Sequence, residues 1–422
     1  MGEAGRRGNR PTSPLSARRP NRERLGGRTG NGVLRRSALS TRGNAAPGAS
    51  RIANAAAHCR LPFLVYRDRI GAPSELAFLR RQYVGFTRLQ PVWIGRHIMP
   101  QAAALHAPVE QLGGPGPTGW LRREAFVRLG LVPPLRSGPL APVLHAQFAR
   151  GAALALPLAR RFGMRMLVTL HGGDVSKRRN WRGTLQARRW PAVVATASRF
   201  VCVSAAVAEI AARHGVPPHK MTVLPIGVEV PDAPPPPPVT PAHLFAGRFV
   251  AKKGIDVLDA AVRRLRAMGD ATPVVCIGDG PLRPVLERLS REAGGVELTG
   301  WLPPEAVQAR MAQAWSLLVP SVVAADGDAE GLPSVIPEAM AQGCPVIGSN
   351  QGGITEAVDH ERCGLLVPPA DAELLAEAMH RLVSNPELRR TLANAAFHHV
   401  RETLNARTQS AALEQLLLQE IT

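Results

Sequence analysis

Apolar residues come in short dense runs set between longer mixed stretches. The runs at 61–66, 91–95, 143–148, 166–170, 200–204 and 221–227 read as strands buried on both faces. Between them the sequence predicts helices over 77–86, 152–162 and 205–214, while 100–140, rich in Gly and Pro, has no legible period. The pattern then repeats, with strands expected at 243–247, 273–278, 296–300, 317–320, 345–348 and 364–367. Two helices, at about 371–400 and 408–420, close the chain, and Leu413, Leu416, Leu417 and Ile421 give the last one an apolar stripe that must pack on something. Alternating strands and helices predict parallel sheets covered on both sides, an α/β architecture built twice over. Ligands of such sheets sit beyond the carboxyl ends of the strands.

Three shifts of composition divide the chain. Residues 1–58 are rich in Arg, Gly, Pro, Ser and Asn and show no hydrophobic period, so a disordered basic tail is expected there. A first domain is expected over 59–230 and a stiff Pro-rich linker over 231–241, where consecutive prolines favour an extended helix. A second domain follows over 242–400, and a C-terminal helix over 401–422 is expected to cross back to the first. No apolar core marks a signal peptide within 1–30, and no run of apolar residues is long enough to span a bilayer. The five cysteines are widely spaced, without a Cys-x-x-Cys pair, and read as reduced core residues of a cytoplasmic protein.

The formal charge of +20 is unevenly spread. Residues 1–60 hold thirteen Lys/Arg against two Asp/Glu, residues 61–240 twenty-three against eight, and residues 241–422 sixteen against twenty-two. The basic half points to an anionic surface such as a membrane or a lipid diphosphate. Lys177-Arg-Arg-Asn-Trp-Arg182 with Arg188-Arg-Trp190 is the expected place for that contact. Nucleic-acid binding would explain the charge of the first half but not the acidity of the second.

Candidate chemistry gathers in the acidic half. Glu330-Gly-Leu-Pro-Ser-Val-Ile-Pro-Glu338 sets two carboxylates eight positions apart, on a loop that turns into a helix with Ser334 as its expected N-cap. The free N–H groups at such a turn suit a phosphate, and Glu338 can accept from a ribose diol. Upstream, Gly247-Arg-Phe-Val-Ala-Lys-Lys-Gly254 follows a strand and places Arg248 and Lys253 where two cations can hold a leaving diphosphate. Gly278-Asp-Gly280 lets a nucleotide approach the backbone, but Arg283 stands where a dinucleotide fingerprint needs its third glycine, which argues against a dehydrogenase. Gln351-Gly-Gly-Ile-Thr-Glu356 is another strand-to-helix turn. In the first half, His171-Gly-Gly-Asp174 directly follows a strand. Asp326-Gly-Asp328 has the form of a metal motif, yet no strand places it and the cationic pair already serves a diphosphate.

The Glu-x7-Glu stretch, Gly-Arg-x4-Lys-Gly, Gly-x-Gly-Pro, Gly-Gly-x-x-Glu and His-Gly-x-Asp segments together resemble retaining glycosyltransferase family 4 (glycosyltransferase group 1), in particular its exopolysaccharide and colanic-acid subgroup. The resemblance implies the GT-B fold, two Rossmann-like domains facing each other across a cleft. It implies transfer of a sugar from a nucleotide-sugar to a glycan or lipid-linked acceptor, with retention, in cell-envelope polysaccharide biosynthesis. It also implies the site: Arg248 and Lys253 on the diphosphate; Glu330 on the sugar, with Gly331, Leu332, Pro333, Ser334 and Val335 beside it; Glu338 on the ribose; Gly278 and Gly280 near the base; and His171 in the cleft by the transferred sugar. No nucleophile, metal or dissociable cofactor is required by this reading. It expects a cytoplasmic protein, peripheral at the inner face of the plasma membrane. The glycine-rich loop that many members carry after their first strand is missing, since Arg69-Ile-Gly-Ala-Pro73 has a single glycine. The readings left standing beside it are a non-catalytic binding or scaffold subunit of the same fold and a nucleotide-sugar epimerase.

Overall fold

The computed structural model describes residues 60–137, 140–236 and 242–421. The expected basic tail and the far part of the Pro-rich linker lie outside the described residues. In the first half, seven strands form one parallel sheet: β1 (Leu61–Tyr66), β2 (Leu89–Gly95), β3 (Val109–Gln111), β4 (Val143–Gln147), β5 (Arg165–Leu170), β6 (Ala197–Cys202) and β7 (Met221–Val223). Their order is β3-β2-β1-β4-β5-β6-β7. In the second half, six strands, also all parallel, are β8 (His243–Ala246), β9 (Val274–Ile277), β10 (Val296–Gly300), β11 (Ser316–Val319), β12 (Val346–Ser349) and β13 (Gly364–Val367). They run β10-β9-β8-β11-β12-β13. Each sheet reverses its strand order beside its first strand, at β1/β4 and β8/β11, which opens a crevice at the carboxyl ends.

The helices of the first half longer than four residues are α1 (Pro73–Arg81), α2 (Gly116–Leu129), α3 (Ala149–Arg161), α4 (Leu185–Thr196) and α5 (Ala205–Arg213). Those of the second are α6 (Ile255–Ala267), α7 (Arg283–Ala293), α8 (Pro304–Gln313), α9 (Val335–Ala341), α10 (Ala372–Ser384), α11 (Pro386–Thr403) and α12 (Ala406–Gln419). Several edges differ from the sequence expectation, for local reasons. The first helix ends at Arg81, not at 86, and begins on Pro73, which suits a first helical turn. The third starts at Ala149 because the Asp174 carboxylate, from a distant loop, accepts its N–H at 2.8 Å. The expected single helix over 371–400 is broken at Asn385-Pro386, where the Asn385 side chain caps α11 by accepting from Leu388 N–H. The unreadable 100–140 region contains the 3-10 turn Pro100–Leu105, strand β3 and helix α2.

Helix α12 returns to the first half. Leu413 and Leu417 are buried there among Phe63, Phe86 and Leu89. Beside them the buried Glu414 carboxylate accepts from the backbone N–H groups of Thr87 (3.0 Å), Arg88 (2.7 Å) and Leu89 (2.7 Å). The basic stretch at 177–190 is not the aromatic surface that the sequence suggested. Trp190 is buried and donates to the His214 carbonyl; Trp181 donates to the Val175 carbonyl and stacks on the His214 ring at 3.7 Å. Arg189 is spent on the carbonyls of Ala153 and Val127. Both indole N–H groups need acceptors, and backbone carbonyls after β5 and at the end of a helix supply them. The four described cysteines, Cys202, Cys276, Cys344 and Cys363, are buried and unpaired. Among the described residues no helix is long and apolar enough to cross a membrane.

Candidate active site

Loops at the carboxyl ends of both sheets enclose a cavity of about 480 Å³, with Phe78 and His171 on the side of the first half and Arg248, Lys253, Glu330 and Leu332 on the other. A second, more apolar cavity of about 550 Å³ adjoins it and contains Trp301, Leu302, Val307 and Glu338. Arg81, Gly247, Trp301 and Val335 belong to both. The first cavity thus brings together His171, Arg248, Lys253, Glu330, Leu332, Pro333, Ser334 and Val335, while Glu338 faces the second.

Gly278, Gly280 and Gly331 do not line either cavity. Gly278, at φ +131°, lies against the Gly247 carbonyl, where a Cβ would stand 2.0 Å from the oxygen; Gly280 lies against Phe249. They shape the Gly247–Phe249 turn from behind. Gly331 is pressed on the backbone of His171, leaving 2.6 Å between a would-be Cβ and the His171 carbonyl oxygen. Gly172, at φ +110°, meets it from the other side, so these two glycines let the two halves touch backbone to backbone.

That contact belongs to a longer seam. Asp326 carbonyl accepts from Arg178 N–H at 3.0 Å, and Ser176 Oγ accepts from Ala329 N–H at 3.2 Å. Asp328 is buried between Lys177 of the first half (3.0 Å) and Lys252 of the second (3.3 Å). Its role is therefore an ion-pair bridge, and among the described residues no group of three or more His, Cys, Asp or Glu is arranged to hold a metal. Lys252, for which the sequence offered no role, also lies 3.6 Å from Glu330, and Lys253 lies 3.1 Å from it. Burial alone would raise the Glu330 pKa, but the charges of Lys253 and Lys252 outweigh it and hold the carboxyl below its usual range. Both ammonium groups approach the same carboxylate oxygen, Oε1.

Glu338 is held from across the cleft. Arg81, at the end of α1, donates to its Oε1 at 2.5 Å, and both side chains are largely buried. Ser334 stands at the start of α9 in helical conformation, and its hydroxyl makes no cap, contrary to the expected role. The Glu356 carboxylate reaches over to the N-terminus of α5, accepting from Ala205 and Ala206 N–H at 2.6 and 2.9 Å. It neutralises a helix end rather than lining a cavity.

His171 is half-buried against the Phe148 and Phe78 rings (4.2 and 5.3 Å between centres), and its Nε2 lies 2.8 Å from Gln147 Oε1. That pairing fits an Nε2–H donor, leaving Nδ1 as acceptor. Burial first, then the charge of Arg67, holds its pKa well below that of a free imidazole, so the ring is neutral at physiological pH. Asp174 fixes the loop by accepting from His171 N–H at 3.0 Å. His145 does not reach the cavity: it is buried between Tyr83 OH (2.8 Å) and Thr169 Oγ1 (2.7 Å).

Burial pushes His145 down to about 3 and His243 down to about 4. Unfolded, both titrate near 6.5. Below that pH the unfolded chain takes up protons that the folded chain refuses, so their contribution is complete above about pH 6.5 and is lost as pH falls towards the folded values. Going from pH 7 to 5.5 is expected to cost roughly 1 kcal/mol for each histidine. Urea titrations at the two pH values check this, and His145→Gln should shrink the difference by its share.

Comparisons with known proteins agree with this architecture. Residues 240–385 match the family model described as glycosyl transferases group 1, and residues 103–231 match that of glycosyltransferase family 4. WcaL of Escherichia coli (strain K12), named as a colanic acid biosynthesis glycosyltransferase, is 38% identical over 173 residues, 39% of this chain and 42% of that protein. The amylovoran biosynthesis glycosyltransferase AmsK of Erwinia amylovora is 37% identical over 142 residues, 33% of this chain and 35% of that one. The chain thus matches less than half the length of either relative. Anabaena Alr3699/HepE, solved in complex with UDP-glucose, superposes with a TM-score of 0.69 at 17% identity, over 85% of this chain and 100% of that one. Sheet topology, matched segments and structural likeness converge: the chain has the GT-B fold and belongs to glycosyltransferase family 4, within glycosyltransferase group 1.

Proposed function

We propose that this protein transfers a sugar from a nucleotide-sugar to a glycan or lipid-linked acceptor, with retention at the anomeric carbon. The observation that carries the reading is the meeting of Arg248, Lys253 and Glu330 on one cavity wall, opposite His171, with Glu338 facing the adjoining space. In the reaction, the bond from the anomeric carbon to the diphosphate oxygen breaks and a bond to an acceptor oxygen forms, while the acceptor hydroxyl passes its proton to the departing diphosphate. Arg248 and Lys253 supply the positive charge that the departing nucleoside diphosphate needs. The Glu330 carboxylate, which lines the cavity, is suited to accept from a sugar hydroxyl. Glu338 accepts from the ribose, sharing its carboxylate with Arg81. Neutral His171 positions the sugar, with Leu332 to Val335 forming the wall beside it. Two relatives are named for colanic acid and amylovoran biosynthesis, and by that likeness the acceptor is a growing cell-envelope polysaccharide, elongated in the cytoplasm.

The test is donor binding and slow donor hydrolysis by the full chain across UDP-, GDP- and ADP-sugars. One donor is expected to bind and turn over, and Glu338→Ala should weaken its binding about tenfold or more, the cost of losing a charged hydrogen-bond acceptor. Failure of every donor to bind at millimolar concentration would sink the reading.

A further inference from the structure

Helix α2 carries large apolar side chains on the side turned away from the protein. Trp120 is 56% exposed, Leu121 59%, Leu129 72% and, just past the helix, Leu131 60%. Its inner side is apolar as well, with Phe126 fully buried and Val127 packed on the core. A surface helix ordinarily keeps its outer face polar, whereas here Trp120, Leu121 and Leu129 stand exposed among the arginines of that face. Nothing in the described chain covers this one, and none of the cavities above includes these residues.

The surroundings of the patch say what covers it. Between 112 and 165 the chain has eight arginines and a single acid, Glu124, which is paired with Arg128 at 3.0 Å. Leu121, Arg128 and Leu129 are seven and eight positions apart and share one face of the helix. Gly130 packs beside Pro157 of α3, which brings Arg160, Arg161 and the half-exposed Phe162 to the same edge. A second copy of this chain is a poor fit: a two-fold contact through the patch would set each arginine group against its own like charge. A helix face with exposed Trp and Leu beside arginines matches the boundary of an anionic bilayer, where apolar side chains enter the acyl edge and guanidinium groups meet lipid phosphates.

We propose that α2 and the following turn, through Trp120, Leu121, Leu129 and Leu131, dock this protein on an anionic membrane. This replaces the 177–190 stretch as the contact surface, and it stands independently of whether a sugar is transferred. Because α2 follows β3, it starts at the carboxyl end of the first sheet, where the cavity lies, and runs back towards the amino end, so Trp120 and Leu121 stand nearer the cavity than Leu129 and Leu131.

The experiment uses the full chain with vesicles of phosphatidylcholine containing 30 mol% phosphatidylglycerol with brominated acyl chains. Residues 1–59 contain no Trp, Trp93 and Trp190 are buried, and the 64% exposed Trp301 lines the cavities, so the share of quenching that Trp120→Phe removes reports on a patch that enters the acyl region. Strong quenching is expected for the natural chain and little for Trp120→Phe. In sedimentation, Leu121→Glu with Leu129→Glu should lower vesicle binding at least about tenfold. Pure phosphatidylcholine vesicles should bind several-fold more weakly. Quenching that persists in Trp120→Phe, vesicle binding unchanged in the double variant, or equal binding to uncharged vesicles would overturn the proposal. So would a concentration-dependent dimer that the double variant abolishes, which would assign the patch to a second copy.

Discussion

Lys253→Ala is expected to lower kcat/KM for the nucleotide-sugar by about 10²–10³-fold, the usual cost of deleting one preorganised group that meets developing charge. The reasoning starts from position. The 3-10 turn Ala251–Lys253 directly precedes α6, and its Gly254 is in left-handed conformation, so the Lys253 side chain is set by backbone rather than by chance. Its ammonium lies 3.1 Å from Glu330 and faces the same cavity as Arg248. Two effects then combine in the alanine variant. The leaving diphosphate loses one of two cations, and buried Glu330 is left with Lys252 alone, 3.6 Å away. Removing one partner of a buried ion pair exposes the desolvation cost of the other, so Glu330 should also shift its titration upwards. Lys253→Arg keeps the charge but not the compact ammonium geometry, and a recovery of part of the rate would separate the Coulombic share from the positional one. Measured turnover within threefold of the natural chain would remove Lys253 from the chemistry.

The strand-borne part of this site was legible because a parallel sheet exposes chemistry at one place, just after each strand. His171 follows β5 and Arg248 follows β8, and a run of β-forming residues ending in Gly or His is a local signal. The Glu330–Glu338 spacing was local too. What escaped were pairings between residues far apart in sequence. Arg81 is 257 positions from Glu338, and a lone arginine at the end of an amphipathic helix looks like any solvated cation. Glu356 capping α5 across 151 positions, and Lys177 meeting Asp328, likewise leave no local trace. At Asp326-Gly-Asp328 the sequence argued against a metal but offered no role for Asp328, because its lysine partners come from both halves of the fold. The tryptophans at 181 and 190 misled because charge density near an aromatic residue implies a surface, whereas their N–H groups found buried carbonyls.

Glu414→Ala should be among the most damaging single substitutions outside the cavity, costing about 4 kcal/mol of stability. Glu414 is only 3% exposed, and its carboxylate accepts three consecutive backbone N–H groups, from Thr87 to Leu89, at the point where the chain enters β2. The loop turns its donors towards α12, and the helix brings a single carboxylate to meet them. Alanine leaves the buried Leu89 N–H without a partner and takes the shared acceptor from the part-buried Thr87 and Arg88, and a buried unsatisfied group costs about 1–3 kcal/mol. Glu414→Gln keeps one carbonyl oxygen but turns an amide N–H₂ towards N–H donors, so roughly half the loss is expected. The same substitution should loosen α12 as a unit, because Leu413 and Leu417 rely on that anchorage for their place beside Phe63 and Leu89. Thermal unfolding would show the stability loss, and limited proteolysis would show faster cleavage beyond Leu404 than in the natural chain. The chain reaches α12 through the crossing at Val228 and Ala406, where the two halves exchange backbone hydrogen bonds of 2.8 Å. A protein that keeps its melting point but loses protection of α12 would show the helix to be a removable strap. If both fall together, the carboxylate is what binds the last helix into the first sheet, and the alignment of Arg81 with Glu338 depends on it.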